Sequence, residues 1–293
     1  MSTPAIEKPK NILSGYLRLP TISWPFILVT PYLVVFFLFV AYPILFGLWL
    51  GSNPADYKRL FNDPIYTRTI WNTLIFVVVG VNLKLLLALL LSGFFFIDRW
   101  WIRVLGVIFI LPWAVPSIPT ILSFRWMLNS EWGMLNNMLW DVFRIEGPWW
   151  LIRPKLALSA AIVIHIWKWL PFWTLILLAG RTAIPQQIYE AAAVDGATSW
   201  SKFIHITLPL LLPLYLTSVL LSSIWTLGDF NSIYLLTGGG PVDATHVLAT
   251  LGIRYAFVIG DIKAGVGTAI TALPFIIPLM FILIQRIGKG ETS

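Results

Sequence analysis

The chain has 293 residues, 58% of them hydrophobic and 11% charged, with a mean hydropathy of +0.82. A soluble domain carries roughly 25% charged residues, so this chain lacks the polar surface to stay in water. Its net charge of +7 is scattered through connectors rather than gathered into a stripe, which argues against nucleic acid and for an anionic bilayer surface or a partner subunit. The absence of cysteine excludes disulfides, thiolate metal sites and cysteine catalysis.

A helix needs about 20 apolar residues to cross roughly 30 Å of hydrocarbon. Six stretches qualify: 25–50, 69–96, 104–128, 156–180, 208–236 and 264–284. Each must be helical, because unpaired backbone is too costly in lipid, and the alternation of a barrel strand does not recur. The expected fold class is an all-α integral membrane protein with about six transmembrane helices. The first stretch is too long for the apolar core of a cleaved signal, and more spans follow. Span three carries Pro112, Pro116 and Pro119, which should kink it, as suits a helix lining a cavity. Trp24, Trp49, Trp71, Trp100, Trp101, Trp149 and Trp150 fall at expected span ends, as an aromatic belt requires.

The chain thus divides into an N-terminal segment 1–24, a transmembrane domain 25–287 and a short tail 288–293. Connectors 51–68, 129–155 and 237–263 lie on one side, with eight Lys and Arg; 1–24, 97–103, 181–207 and 285–293 lie on the other, with nine. The positive-inside rule leans only slightly towards cytoplasmic termini.

Ionisable residues inside a span are costly and are therefore candidates for function. Arg125 is near a span end and can snorkel to the interface. Lys84 is central in span two, where pairing inside the bundle is favoured over a substrate contact. Ser222, Trp225, Thr226 and Asp229 fall at i, i+3, i+4 and i+7 and would share one helix face. A sugar stacks its C–H face on such an aromatic ring while hydroxyls and a carboxylate take its hydroxyl groups. Against this stands the ordinary use of Ser and Thr in helix packing and of Trp at interfaces. Function is placed first for Trp225 and Asp229; for Ser222 and Thr226 the two readings weigh evenly.

The segment 184–209 reads IPQQIYEAAAVDGATSWSKFIHITLP. Pro185 suits a helix start, Gln186 to Val194 are good helix formers, and Gly196 can take the left-handed conformation that ends a helix. Thr198 is a candidate cap for a second short helix over 199–206, and Pro209 would then open the fifth span. The small side chains of Ala191, Ala192 and Ala193 would let another protein surface approach closely.

The order EAA, Asp195–Gly196, then ITLP resembles the EAA loop of ABC importer permeases. WKWLPFW at 167–173, LAG at 178–180, LTGGGP at 236–241 and NSEWGMLNNML at 129–139 resemble the larger maltose-transporter permease family and its relatives for sugars and glycerol phosphate, the first permease of the pair. The similarity runs from about Arg103 to Gly267. The departures are Ala193 after the EAA run and Arg181, where the family often has Leu.

The resemblance implies a type I ABC importer permease fold, in the bacterial or archaeal cytoplasmic membrane, with both termini cytoplasmic. It implies a heterodimer with a second permease, an ATPase subunit dimer, a periplasmic or lipid-anchored solute-binding protein and a sugar-like substrate. The loop 184–209 would couple to the ATPase through Tyr189, Glu190, Ala191, Ala192, Asp195 and Gly196. Lys168, Trp169 and Phe172 come to the family's contact positions beside Ser222, Trp225, Thr226 and Asp229, although the widespread WKxxPF pattern leaves Lys168 an architectural alternative. No cofactor is expected in this chain; ATP and Mg²⁺ would be held by the ATPase. The sequence itself carries no GxxxxGK[ST] loop, and the glycine run at 238–240 precedes Pro241 and reads as a turn. Rival readings are a membrane-embedded enzyme using Asp229 or His165, without HExxH or GxSxG to support it, and an ion-coupled carrier with Asp229 as cation ligand, without evident inverted repeats.

Overall fold

The structure is a computed structural model that describes residues 23–290. The expected cytoplasmic segment 1–24 and tail 288–293 fall outside these residues but for their innermost positions, and so does the side chain of Trp24. Among the described residues the regular structure is entirely helical. The chain divides into two units, Met1–Leu50 and Gly51–Ser293. In the first, α1 (Leu28–Leu50) is apolar on every face, with a π turn at Phe37–Ala41.

The second unit comprises α2 (Pro54–Phe61), α3 (Pro64–Phe95), α4 (Trp100–Ala114), α5 (Ser117–Met127), α6 (Met134–Phe143) and α7 (Pro154–Thr182). It continues through α8 (Gln186–Val194), α9 (Ser199–Leu227), α10 (Asn231–Thr237), α11 (Leu248–Ile259) and α12 (Ile262–Gln285). Among the described residues five helices are long and apolar enough to span a bilayer, and the bent pair α4–α5 makes a sixth when taken as one broken span. The expected six spans are therefore present by length and composition.

α3 and α7 form the central pair. Small residues let helices approach closely in a membrane. A Cβ on Gly180 would stand 2.3 Å from Leu214. α3 starts at Pro64, and the Asp63 carboxylate accepts from the Ile65 N–H at 2.8 Å, an N-cap with proline at the first helical position. Three apolar clusters lie among the described residues. One centres on Phe76, Leu158, Ile162 and Ile233. Another centres on Val81, Leu85, Trp173, Leu177 and Leu211. The third lies around Leu60, Tyr66, Leu248 and Leu251.

Span three is not a kinked continuous helix. It breaks at Val115 and Pro116, where α4 and α5 meet at 93°. Proline has no N–H, so Pro116 and Pro119 leave the carbonyls four residues earlier, at Pro112 and Val115, without helical partners. Lys168 on α7 supplies them: its Nζ donates to Pro112 O at 3.0 Å and also to Val115 O. Irregular backbone at membrane depth is tolerated where protein satisfies it in this way.

The fifth span also differs from expectation. The proposed second short helix over 199–206 is the start of the span itself, because α9 runs unbroken from Ser199 to Leu227 through a π turn at Phe203–Thr207. The Leu208 N–H reaches back to Phe203 O, so the helix is already under way before Pro209. At its far end α9 stops at Leu227 instead of continuing to 236. Asp229, just before the separate α10 whose N-cap is Phe230, accepts from Ser232 N at 3.1 Å.

The glycine run forms the expected turn, with Gly238 and Gly239 at φ 61° and 88°. A Cβ on Gly239 would lie 2.0 Å from the His246 ring. Asn72 on α3 pins this connector by donating to Ala244 O at 2.8 Å and His246 O at 3.1 Å. Burial in the connector lowers the His246 pKa to about 4, keeping the imidazole neutral.

Candidate substrate cavity and coupling loop

α7 and α9, with the link into α10, enclose a cavity of about 320 Å³. This is near the lower end of the roughly 300–1,000 Å³ of ligand pockets. On α7 the lining residues are His165, Trp169 and Trp173, at i, i+4 and i+8. On α9 they are Ser222, Trp225 and Thr226, and Asp229 lies in the link. Lys84 enters from α3.

One wall is aromatic. Trp225 is 46% exposed and stands 6.0 Å from Trp169, 5.7 Å from Trp173 and 5.7 Å from Phe172, centroid to centroid. The rest of the lining is largely polar. Lys84 Nζ lies 3.0 Å from His165 Nε2, and His165 Nδ1 lies 2.7 Å from Asp229 Oδ2. Ser232 Oγ donates to the same carboxylate oxygen at 2.5 Å. Thr226 Oγ1 donates to Ser222 O at 2.7 Å and sits 3.3 Å from His165 Nε2. Ser222 Oγ is buried on the cavity wall without a hydrogen-bond partner.

The structure brings Trp169, Ser222, Trp225, Thr226 and Asp229 together, but not by the expected route. Asp229 lies beyond the end of α9 and returns to the cavity through the break before α10. Phe172 backs Trp225 instead of lining the cavity. Lys168 is not a lining residue, because its ammonium caps the carbonyls of the broken span. Lys168 and Phe172, at i+3 and i+7 from His165, flank the same broad face of α7, so their partners and not helical spacing set them apart from the lining residues. Sequence reasoning misses Trp173, although it completes that i, i+4, i+8 series. It takes His165 only as a catalytic rival and leaves Lys84 as a bundle pairing without a named partner.

The segment 184–209 folds locally as its residues dictate up to Thr198. α8 spans Gln186–Val194, Asp195 is its C-cap, and Gly196 comes next at φ 79°. Thr198 Oγ1 accepts from Ser201 N at 3.2 Å. Glu190 and Ala191 are exposed, and Val194 is 89% exposed, so α8 offers a small-residue and apolar face. Tyr189 is half-buried, and its hydroxyl shares a 2.9 Å hydrogen bond with Thr207 Oγ1 on α9. Arg181 anchors the loop's other end: Nη2 donates to Ser92 Oγ at 3.3 Å and Leu89 O at 3.4 Å, and the guanidinium lies over the Phe203 ring. The departure from the resembled pattern at Arg181 therefore has a structural role.

The family described as binding-protein-dependent transport system inner membrane components matches residues 84–287. The trehalose/maltose transport system permease protein MalF of Thermococcus litoralis is 33% identical over 95% of this chain and 98% of its own length. The sulfoquinovosyl glycerol transport system permease protein SmoG of Agrobacterium fabrum is 33% identical over 85% of this chain and 84% of its own. Among solved structures, a chain of a bacterial alginate ABC transporter, in complex with an alginate pentasaccharide-bound periplasmic protein, superposes with a TM-score of 0.79. It has 21% identity and covers 89% of this chain and 92% of that one. That likeness concerns the fold.

Proposed function

The chain belongs to the binding-protein-dependent transport system inner membrane components, and we propose that it forms the saccharide pathway of an ATP-driven importer. As a family member it is a multi-pass permease subunit and not an enzyme, and ATP is hydrolysed by a separate subunit. The membrane-enzyme and ion-carrier readings give way to this assignment.

The saccharide reading rests above all on the cavity lining, in which Trp169, Trp173 and Trp225 lie beside the hydroxyl residues Ser222 and Thr226. Aromatic faces take the apolar side of a sugar ring, and hydroxyls take its polar edge. The relatives named for trehalose, maltose and sulfoquinovosyl glycerol support the same class. In this reading a solute-binding protein delivers the sugar, a second permease closes the other side of the cavity, and the termini are cytoplasmic. α8 docks on the ATPase through Glu190, Ala191, Ala192 and the Asp195–Gly196 turn. Tyr189 ties that movement to α9, which carries Ser222 and Trp225. ATP and Mg²⁺ stay on the ATPase.

The test is ATP hydrolysis and saccharide uptake by the complex in proteoliposomes, with and without the binding protein. Gly196 holds φ 79° and its N–H bonds Ala193 O at 3.1 Å; Gly196→Pro cannot keep either. The expected result is at least a tenfold loss of stimulated hydrolysis with the complex still assembled. Hydrolysis indifferent to this change would remove the coupling role. No uptake of any saccharide by wild type would remove the substrate class.

A further inference from the structure

The ionisable residues lining the cavity are Lys84, His165 and Asp229. They are joined in one line. With Lys84 protonated, its ammonium has donors and no acceptor, and His165 Nε2 accepts from it at 3.0 Å. The imidazole proton then resides on Nδ1 and is donated to Asp229 Oδ2 at 2.7 Å. The other carboxylate oxygen accepts from Ser232 N at 3.1 Å, and Ser232 Oγ donates to Oδ2 at 2.5 Å. The line therefore ends in one ammonium and one carboxylate, with a neutral ring between them. Lys84 is 1% exposed and His165 is 2% exposed. Among the lining residues no cation is left over to meet an anionic solute.

What the cavity does offer is uncharged. Ser222 is 1% exposed, and its Oγ lacks any partner while lining the cavity. A buried hydroxyl without a partner is unfavourable, and a solute hydroxyl would satisfy it once the Ser222 side chain turns into the cavity. The tryptophan faces accept C–H surface of a neutral ring. An ionised solute group would instead be partly desolvated beside a line whose own charges already balance, which is unfavourable.

We propose that the Lys84–His165–Asp229 line neutralises the cavity's own charges and so makes it select a neutral saccharide over its anionic counterpart, with Ser222 as the free hydrogen-bonding group. The proposal rests on the cavity being the solute site. It differs from a merely structural role in predicting opposite effects for its two ends. Asp229→Asn leaves the ammonium uncompensated and favours an anion. Lys84→Met leaves the carboxylate uncompensated and disfavours an anion further.

The experiment is binding to the assembled transporter in nanodiscs without the solute-binding protein, so that the permease alone selects. The probes are a panel of neutral mono- and disaccharides, each paired with the uronic acid that differs by oxidation of one CH₂OH. Wild type is expected to prefer a neutral member at least tenfold over its uronic acid. Asp229→Asn should lower that ratio at least tenfold, and Lys84→Met should raise it. If one variant fails to assemble, the other still carries the test. Equal or tighter binding of the uronic acid by wild type, or variants that leave the ratio unchanged or move it in the same direction, would overturn the proposal. If wild type binds no member of either set, the saccharide reading fails, and charge selection fails with it.

Discussion

Lys168 shows how a charge inside the membrane can serve the backbone rather than a ligand. Its ammonium donates to Pro112 O, Trp113 O and Val115 O on the far side of the broken span. Net, a hydrogen bond to a charged group contributes about 1.5–3 kcal/mol, and carbonyls left unpaired at membrane depth are more costly still. Lys168→Met should therefore lower the thermal unfolding midpoint of the assembled complex, by an amount matching a loss of about 2–3 kcal/mol. The preference between neutral and anionic saccharides should stay as in wild type. An unchanged midpoint would show that the carbonyls find other partners. The sequence displays Lys168 and the prolines plainly, but not that they meet, since Lys168 and Pro112 are 56 residues apart. The same limit hides the line from Lys84 to Asp229, whose ends come from separate helices. The aromatic wall is more legible, because Trp169 and Trp225 declare themselves as large aromatics beside hydroxyls. Helical spacing alone does not pick His165 and Trp173 over Lys168 and Phe172, which lie at i+3 and i+7 on the same side of α7.

At the scale of elements, α8 is readable because everything that shapes it is local: Pro185 stands before its first turn and Gly196 beyond its last, and Thr198 caps the first turn of α9. The continuity of α9 is not readable, because Pro209 looks like a beginning and the π turn at Phe203–Thr207 leaves no periodic trace. That turn sits where α8 is tied to α9, since Thr207 shares the 2.9 Å hydrogen bond with the Tyr189 hydroxyl. α9 then runs as one helix to Ser222 and Trp225 in the cavity. In the proposed coupling, a movement of α8 would reach the cavity through the short link to α9 and this hydrogen bond, worth about 1 kcal/mol net. Tyr189→Phe and Thr207→Val should each raise the ATP hydrolysed per solute imported, by about fivefold if the bond carries the coupling. Thr207→Ser keeps the hydroxyl and should restore the wild-type ratio. A ratio unmoved by all three, in complexes that assemble normally, would make the tie incidental and leave the Arg181 anchor as the path.

For the whole molecule, the number of crossings is legible from apolar length alone, whereas the orientation is not, because the charges on the two sides nearly balance. The structure offers two positions that separate these questions. Val194 at the end of α8 is 89% exposed, and Val242 in the connector after the glycine turn is 91% exposed. Only α9 is long enough to span between them, so they must face opposite sides of the membrane if α9 crosses it. The chain has no cysteine of its own, so Val194→Cys and Val242→Cys each introduce one thiol on a silent background. A membrane-impermeant maleimide applied to intact cells with the outer barrier opened should label Val242→Cys in this chain's band. Val194→Cys should react only after the cytoplasm is made accessible, and more slowly when the ATPase subunit is assembled on α8. The reverse pattern would invert the orientation while keeping the fold. Labelling of both from one side would mean that α9 does not cross, and the cavity between α7 and α9 would lose its place in a transmembrane path.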